Sequence, residues 1–113
     1  MLNDAALIIS ANAVAAAITH LSLHTVGAVT SSLNESTAAR QPVTWATDAD
    51  GDITFTSRAF TGGAASGPAI RVGYWSALTA GIYYGGFLLT GDLAFNAAGA
   101  YTVNSGAENN TPT

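Results

Sequence analysis

Hydrophobic positions change their spacing near residue 19. Before it, Leu7, Ala11, Val14 and Ile18 recur at i, i+4, i+7 and i+11, which draws one apolar stripe along a helix. Asn3 or Asp4 can cap that helix, and Ala13–Ala17 supplies good helix formers, so the pattern predicts a helix over residues 4–17. After it, Leu21 and Leu23 alternate with His20, Ser22 and His24, the signature of a half-buried strand. Residues 26–39 are small and polar and read as a surface loop. Val43 and Trp45 flank Thr44, and Ile53 and Phe55 alternate with Thr54 and Thr56, with Asp48-Ala49-Asp50-Gly51 between the two runs. Asp-Gly at such a junction predicts a hairpin.

Residues 61–68 are rich in Gly and Ala and read as a flexible connection. Ile70, Val72 and Tyr74 then alternate with Arg71, Gly73 and Trp75, and residues 82–89 form a longer apolar run whose Gly85-Gly86 pair suggests a bulge or a close backbone approach. Residues 101–103 make a short last strand, and residues 104–113 read as a loose polar tail. The expected architecture is therefore α+β, with an N-terminal helix packed on a mainly antiparallel sheet or sandwich of about six short strands. One domain over residues 1–103 accounts for the pattern, and no repeat of 20–50 residues is visible.

Composition removes several function classes. The chain has 113 residues with three Arg, no Lys and seven acids, for a net charge of −4. A charged fraction of 9% compares with about 25% in a typical domain. That balance speaks against nucleic acid, whose phosphates demand cations. Absent Cys excludes disulfides and thiolate chemistry, and absent Lys excludes a P-loop lysine or a Schiff base. Residues 1–18 are apolar but carry Asp4 and no cation, which does not fit a secretory signal. Their polar interruptions also do not fit a membrane span.

Candidate chemistry is sparse. Asp48, Asp50 and Asp52 resemble the first half of a calcium loop, where a hard cation gathers oxygens. Ile53 stands where that loop needs Gly and Ala59 where it needs Glu, so a hydrated hairpin turn is expected, with the three acids as weak metal candidates. His20 and His24 share one face of a strand without an evident third ligand, and polar-face or interface roles are expected for them. No Gly-x-Ser-x-Gly elbow or Gly-x-Gly-x-x-Gly loop exists, and neither catalysis nor a cofactor is expected. Most aromatics belong to a core. Trp75, Tyr83 and Tyr84 have parities that leave one or more of them exposed, where a ring could anchor a subunit or stack on a sugar.

Three segments together resemble a family of small virion proteins of phages that infect actinobacteria, often labelled tail-fibre-like. They are Asn12–Thr25, a helix running into Leu-His-Thr; Val43-Thr44-Trp45-Ala46; and Val72-Gly73-Tyr74-Trp75-Ser76-Ala77 followed by Gly81, Gly85-Gly86 and Phe95–Thr102. The resemblance spans about residues 5–103 and implies a virion structural protein. Where the family often has Ala-Asp-Pro-Gly after Leu-His-Thr, this chain has Val26-Gly27-Ala28-Val29.

Few charges, no heptads and no repeats suit a compact assembled cap better than a fibre shaft. The expectation is a capsid decoration protein that stabilises the head, bound to the major capsid protein and to copies of itself, with a trimer favoured. The N-terminal segment with Leu2, together with Arg71, Trp75, Tyr83 and Tyr84, supplies the candidate contact residues. The alternative is a tail-tip or fibre-associated protein that binds host cell-wall glycan.

Overall fold

The computed structural model describes residues 3–49, 51–104 and 106–108. Asn3 opens the helix by accepting the Ala6 N–H on its Oδ1 at 3.0 Å. Helix α1 then runs Asp4–Ala17, with Asp4 in its positive first turn. Leu7, Ala11 and Ile18 are buried as expected, but Val14 is 37% exposed. The stripe is thus narrower than its spacing implied, because α1 leans on the protein along one edge only.

Three small sheets carry the rest. Strand β1 (His20–His24) lies between β2 (Gln41–Pro42) and β6 (Arg71–Trp75), and β6 is followed by β7 (Tyr83–Leu88), giving the order β2-β1-β6-β7. Strand β3 (Ala46–Thr47) pairs with β4 (Ile53–Phe55), and β5 (Arg58–Phe60) pairs with β8 (Tyr101–Val103). The last strand, β9 (Gly106–Glu108), adds to β4. Every pairing is antiparallel. The class is α+β, as the pattern predicted.

The expected hairpin forms. Thr47 pairs with Ile53, and Asp48 and Asp52 close the turn. Gly51 takes a φ of +83°, a left-handed conformation that favours Gly at this site. The bulge also forms. Between Tyr74 and Trp75 the register slips, so Tyr84 is the additional residue on β7.

Other expectations need correction. The run around Val43–Trp45 is not itself a ladder. It bridges β2 and β3, and Trp45 instead fills the core, edge-on to Phe55 and Tyr74, while its Nε1–H bonds the Ile18 carbonyl. Residues 61–68 are pinned and not free: Gly63 donates to the Gly99 carbonyl, and Phe95 donates to that of Gly67. The polar tail expected from residue 104 contributes β9, so the fold extends past 103; residues 109–113 lie outside the described residues. Among the described residues the strands number nine, roughly consistent with the expected six or so; the additional ones are two- and three-residue pairings in the polar connections.

The main core sits against one face of the four-stranded sheet. Leu21 and Leu23 of β1 and Val72 and Tyr74 of β6 meet Ile18, Phe55, Phe60, Phe95 and Val103 there, with Phe87 packed against them. The opposite face of the same sheet is the surprise. Ser22, His24 and Arg71 are fully buried, so β1 is not half-buried but enclosed on both sides.

Candidate functional site

Residues 25–34 cross the polar face of the sheet as a strap, and the side chains beneath it hold it by its main chain. Arg71 donates from Nε to the Val26 carbonyl at 2.8 Å and from Nη2 to that of Leu33 at 2.9 Å. Its Nη1 reaches the Tyr83 hydroxyl, which itself donates to the Val29 carbonyl at 2.6 Å. His24 Nδ1 bonds the Leu33 carbonyl at 2.9 Å. A carbonyl only accepts, so the proton is on Nδ1 and Nε2 is the acceptor. Nε2 lies 2.6 Å from Ser22 Oγ, and Ser22 Oγ in turn accepts the Trp75 indole N–H at 2.8 Å. The relay therefore runs from Trp75 through Ser22 and His24 to Leu33, with each donor matched to one acceptor.

A second clasp closes the other side of Trp75. Arg40 lies with Cζ 3.6 Å from the centre of a Trp75 ring, grips Glu35 through two bonds of 2.8 and 2.9 Å, and donates to the carbonyls of Ala77 and Ala80. Arg58 donates to the carbonyls of Pro42 and Ser57. All three cations of the chain are thus tied to the chain's own atoms.

Ser22 and His24 have the spacing of a nucleophile and a base, but the geometry makes them structural. Both are fully buried, and the third partner is a carbonyl and not a carboxylate. Gly73 presses on them so closely that a Cβ there would lie 2.6 Å from both Ser22 Oγ and His24 Nε2. Both side chains are sealed from solvent in this arrangement. Burial lowers the His24 pKa below the usual 6.5, and Arg71 and Arg40 act in the same direction; the Leu33 bond and Glu35 oppose them. Burial raises the Tyr83 pKa, against the pull of Arg71.

Against these positions the contact candidates separate. Trp75 is 7% exposed and Arg71 fully buried, so neither offers a surface to a partner; both are corrected to internal roles. Of the three rings whose parity left one or more exposed, Tyr84 is the exposed one, whereas Trp75 is covered by Arg40, and Arg71 lies under the strap. Tyr83 is partly buried, and its hydroxyl is committed to the strap. Tyr84 is exposed, at 46%. Leu2 and Asp50 lie outside the described residues. Asp48 accepts the Asp52 N–H on its Oδ1 at 3.0 Å, a turn-closing contact, and no group of three metal-ligating side chains occurs among the described residues. His20 contacts Thr19 Oγ1 at 2.9 Å, at the less buried end of β1.

Exposed apolar surface gathers elsewhere. An open groove of about 370 Å³ runs between α1 and β7, walled by Ala13, Val14 and Ala17 on one side and Tyr74 and Tyr84 on the other, with Ile53 in its lining. The bulge aims Tyr84 into this groove. Ile9, Ile82 and Leu88 are also exposed on α1 and on or beside β7. A polar cleft near Thr90, Asp92, Asn96 and Tyr101 is made of turn chemistry: Asn96 Oδ1 accepts the N–H groups of Ala98 and Ala100, and Tyr101 donates to the Asp92 carbonyl. No helix among the described residues is long and apolar enough to cross a membrane.

No protein-family model, curated protein or solved structure matches the chain. Ser22 and the Glu35–Arg40 clasp are not among the residues the sequence singles out. The alternation Ser22-Leu23-His24 carried a signal for the first, and nothing local signalled the second.

Proposed function

We propose that this chain is a structural component of a phage virion, a capsid decoration protein that assembles symmetrically on the head and stabilises it. The observation that carries the reading is the surface. Arg40, Arg58 and Arg71 are all engaged internally, and no charged residue occurs from Val72 to Gly91, the stretch that contains β7. An apolar groove with Tyr84 on its wall adjoins that stretch. Such a surface suits burial against another protein more than free solvation. The dimensions, 46 × 28 × 22 Å, suit a cap better than a shaft. The resemblance of residues 5–103 to actinobacterial phage virion proteins supports the same class.

The test is location. The protein should co-purify with tailless heads and raise their melting temperature, and Tyr84→Ala should weaken that retention while leaving the free protein folded. Heads that lack it entirely would end the decoration reading. The tail-tip alternative has lost Trp75 as its stacking ring and now depends on Tyr84; retention on host cell walls that Tyr84→Ala abolishes would put the alternative in its place.

A further inference from the structure

We propose that the strap of residues 25–34 is an acid-released latch, opened when His24 takes a second proton and so loses its place between Ser22 and Leu33. The inference goes beyond the virion reading and does not depend on it.

The hydrogen bonds under the strap admit only the neutral imidazole without loss. Nδ1–H serves the Leu33 carbonyl and Nε2 receives the Ser22 hydroxyl proton. Protonation turns Nε2 into a donor aimed at the same Ser22 Oγ, which already accepts from Trp75. The Ser22 hydroxyl proton then faces no acceptor in a buried site, a loss comparable to breaking a hydrogen bond. The new charge also shares the Leu33 carbonyl with the Arg71 guanidinium.

The groups around His24 offer little relief. On its own strand it meets Ser22, and β6 contributes the Arg71 cation. From β7 comes the neutral Tyr83 ring, with centroids 5.9 Å apart. Residues 35–40 contribute Glu35 and Arg40, a carboxylate and a cation bonded to each other. Opening the strap gives water to the imidazole and releases the Leu33 carbonyl from both donors. The strap itself carries no titratable side chain, so its response must come from beneath it.

The sign follows from linkage. The closed form binds the proton more weakly than the open form, whose histidine titrates near the ordinary 6.5. Above that value the latch is fully closed. Below it, until the closed form also protonates, each unit of pH shifts the equilibrium about tenfold toward opening.

Hydrogen exchange by NMR on the full chain tests this, as protection factors corrected for the intrinsic rate at each pH. The Thr25 amide, bonded to the Asn34 carbonyl at 2.9 Å, reports on the strap; the Thr19 amide, bonded to the Trp75 carbonyl, reports on the sheet. Thr25 protection should fall about tenfold per unit below pH 6.5 and level off where the closed-form His24 titrates, while Thr19 stays protected. His24→Asn, which keeps a short donor but cannot titrate, should abolish the response. Should that variant fail to fold, the wild-type chain still decides, because the loss at Thr25 must begin near pH 6.5 and end where the His24 imidazole shifts titrate. Thr25 protection that is flat between pH 6.5 and the onset of the His24 titration, loss at Thr19 in the same window, or a pH response that survives in His24→Asn would each overturn the latch.

Discussion

Along β1 and β6 the two faces of the four-stranded sheet are both closed to water, by opposite chemistry. One buries Leu21, Leu23, Val72 and Tyr74 under aromatic and aliphatic side chains. The other buries Ser22, His24 and Arg71 under a strap of main chain. The apolar face gains from removing carbon from water, and its strength scales with the area and packing of its side chains. The polar face gains little from burial as such. It holds because the donors beneath the strap find acceptors in its carbonyls or in one another, and loss of one partner leaves another group unpaired in a dry site. Arg71 is the extreme case: among the described residues, its contacts are two carbonyls and a phenol, with no carboxylate at bonding distance.

Substitutions should divide along this line. Phe60 is fully buried on the apolar side, so Phe60→Ala should produce the largest loss, about 3–5 kcal/mol of unfolding free energy. Denaturant melts measure it, with Trp45 fluorescence a direct reporter because Trp45 belongs to the same cluster. Gly73→Ala should cost less, about 1–3 kcal/mol, by driving a methyl into Ser22, His24 and Tyr83. Its mark should be confined to the polar side, as altered His24 and Trp75 indole resonances with the Phe55 and Phe60 signals unmoved. A Gly73→Ala chain as stable as wild type would mean that the close approach beneath the strap is not constraining. At the small end, Tyr84→Ala should change stability by no more than about 0.5 kcal/mol, since its ring faces an open groove.

The same comparison explains what could be read from the chain. The apolar face is legible because carbon-rich side chains announce themselves by type and spacing: alternation alone puts Leu21 with Leu23, and Val72 with Tyr74, on one side of each strand. The helix cap at Asn3, the turn at Gly51 and the bulge at Tyr84 beside Gly85-Gly86 are legible for a similar reason, because each favours particular residue types. The polar face is not. Its acceptors are the carbonyls of Val26, Val29 and Leu33, which any residue supplies, so nothing in those side chains marks the strap as a lid. Polar residues opposite Leu21 and Leu23 therefore read as solvent-facing, and Trp75 and Arg71 as available for contact. Strand β9 escapes notice for another reason: Gly106, Ala107 and Glu108 have little strand preference, and the pairing with β4 comes from the open edge they meet.

Arg71 decides whether the polar face is an internal fastening or a surface for partners. Residue-resolved hydrogen exchange on Arg71→Met at pH 7.5 compares the two directly, because methionine keeps the bulk and removes every donor. A stability loss of about 3 kcal/mol is expected. The Thr25 amide at the start of the strap and the Ser36 amide just beyond it should lose protection well before the Thr19 amide of the sheet. Unchanged protection at Thr25 and Ser36, joined to weaker self-association or weaker retention on heads, would contradict it and return Arg71 to the interface.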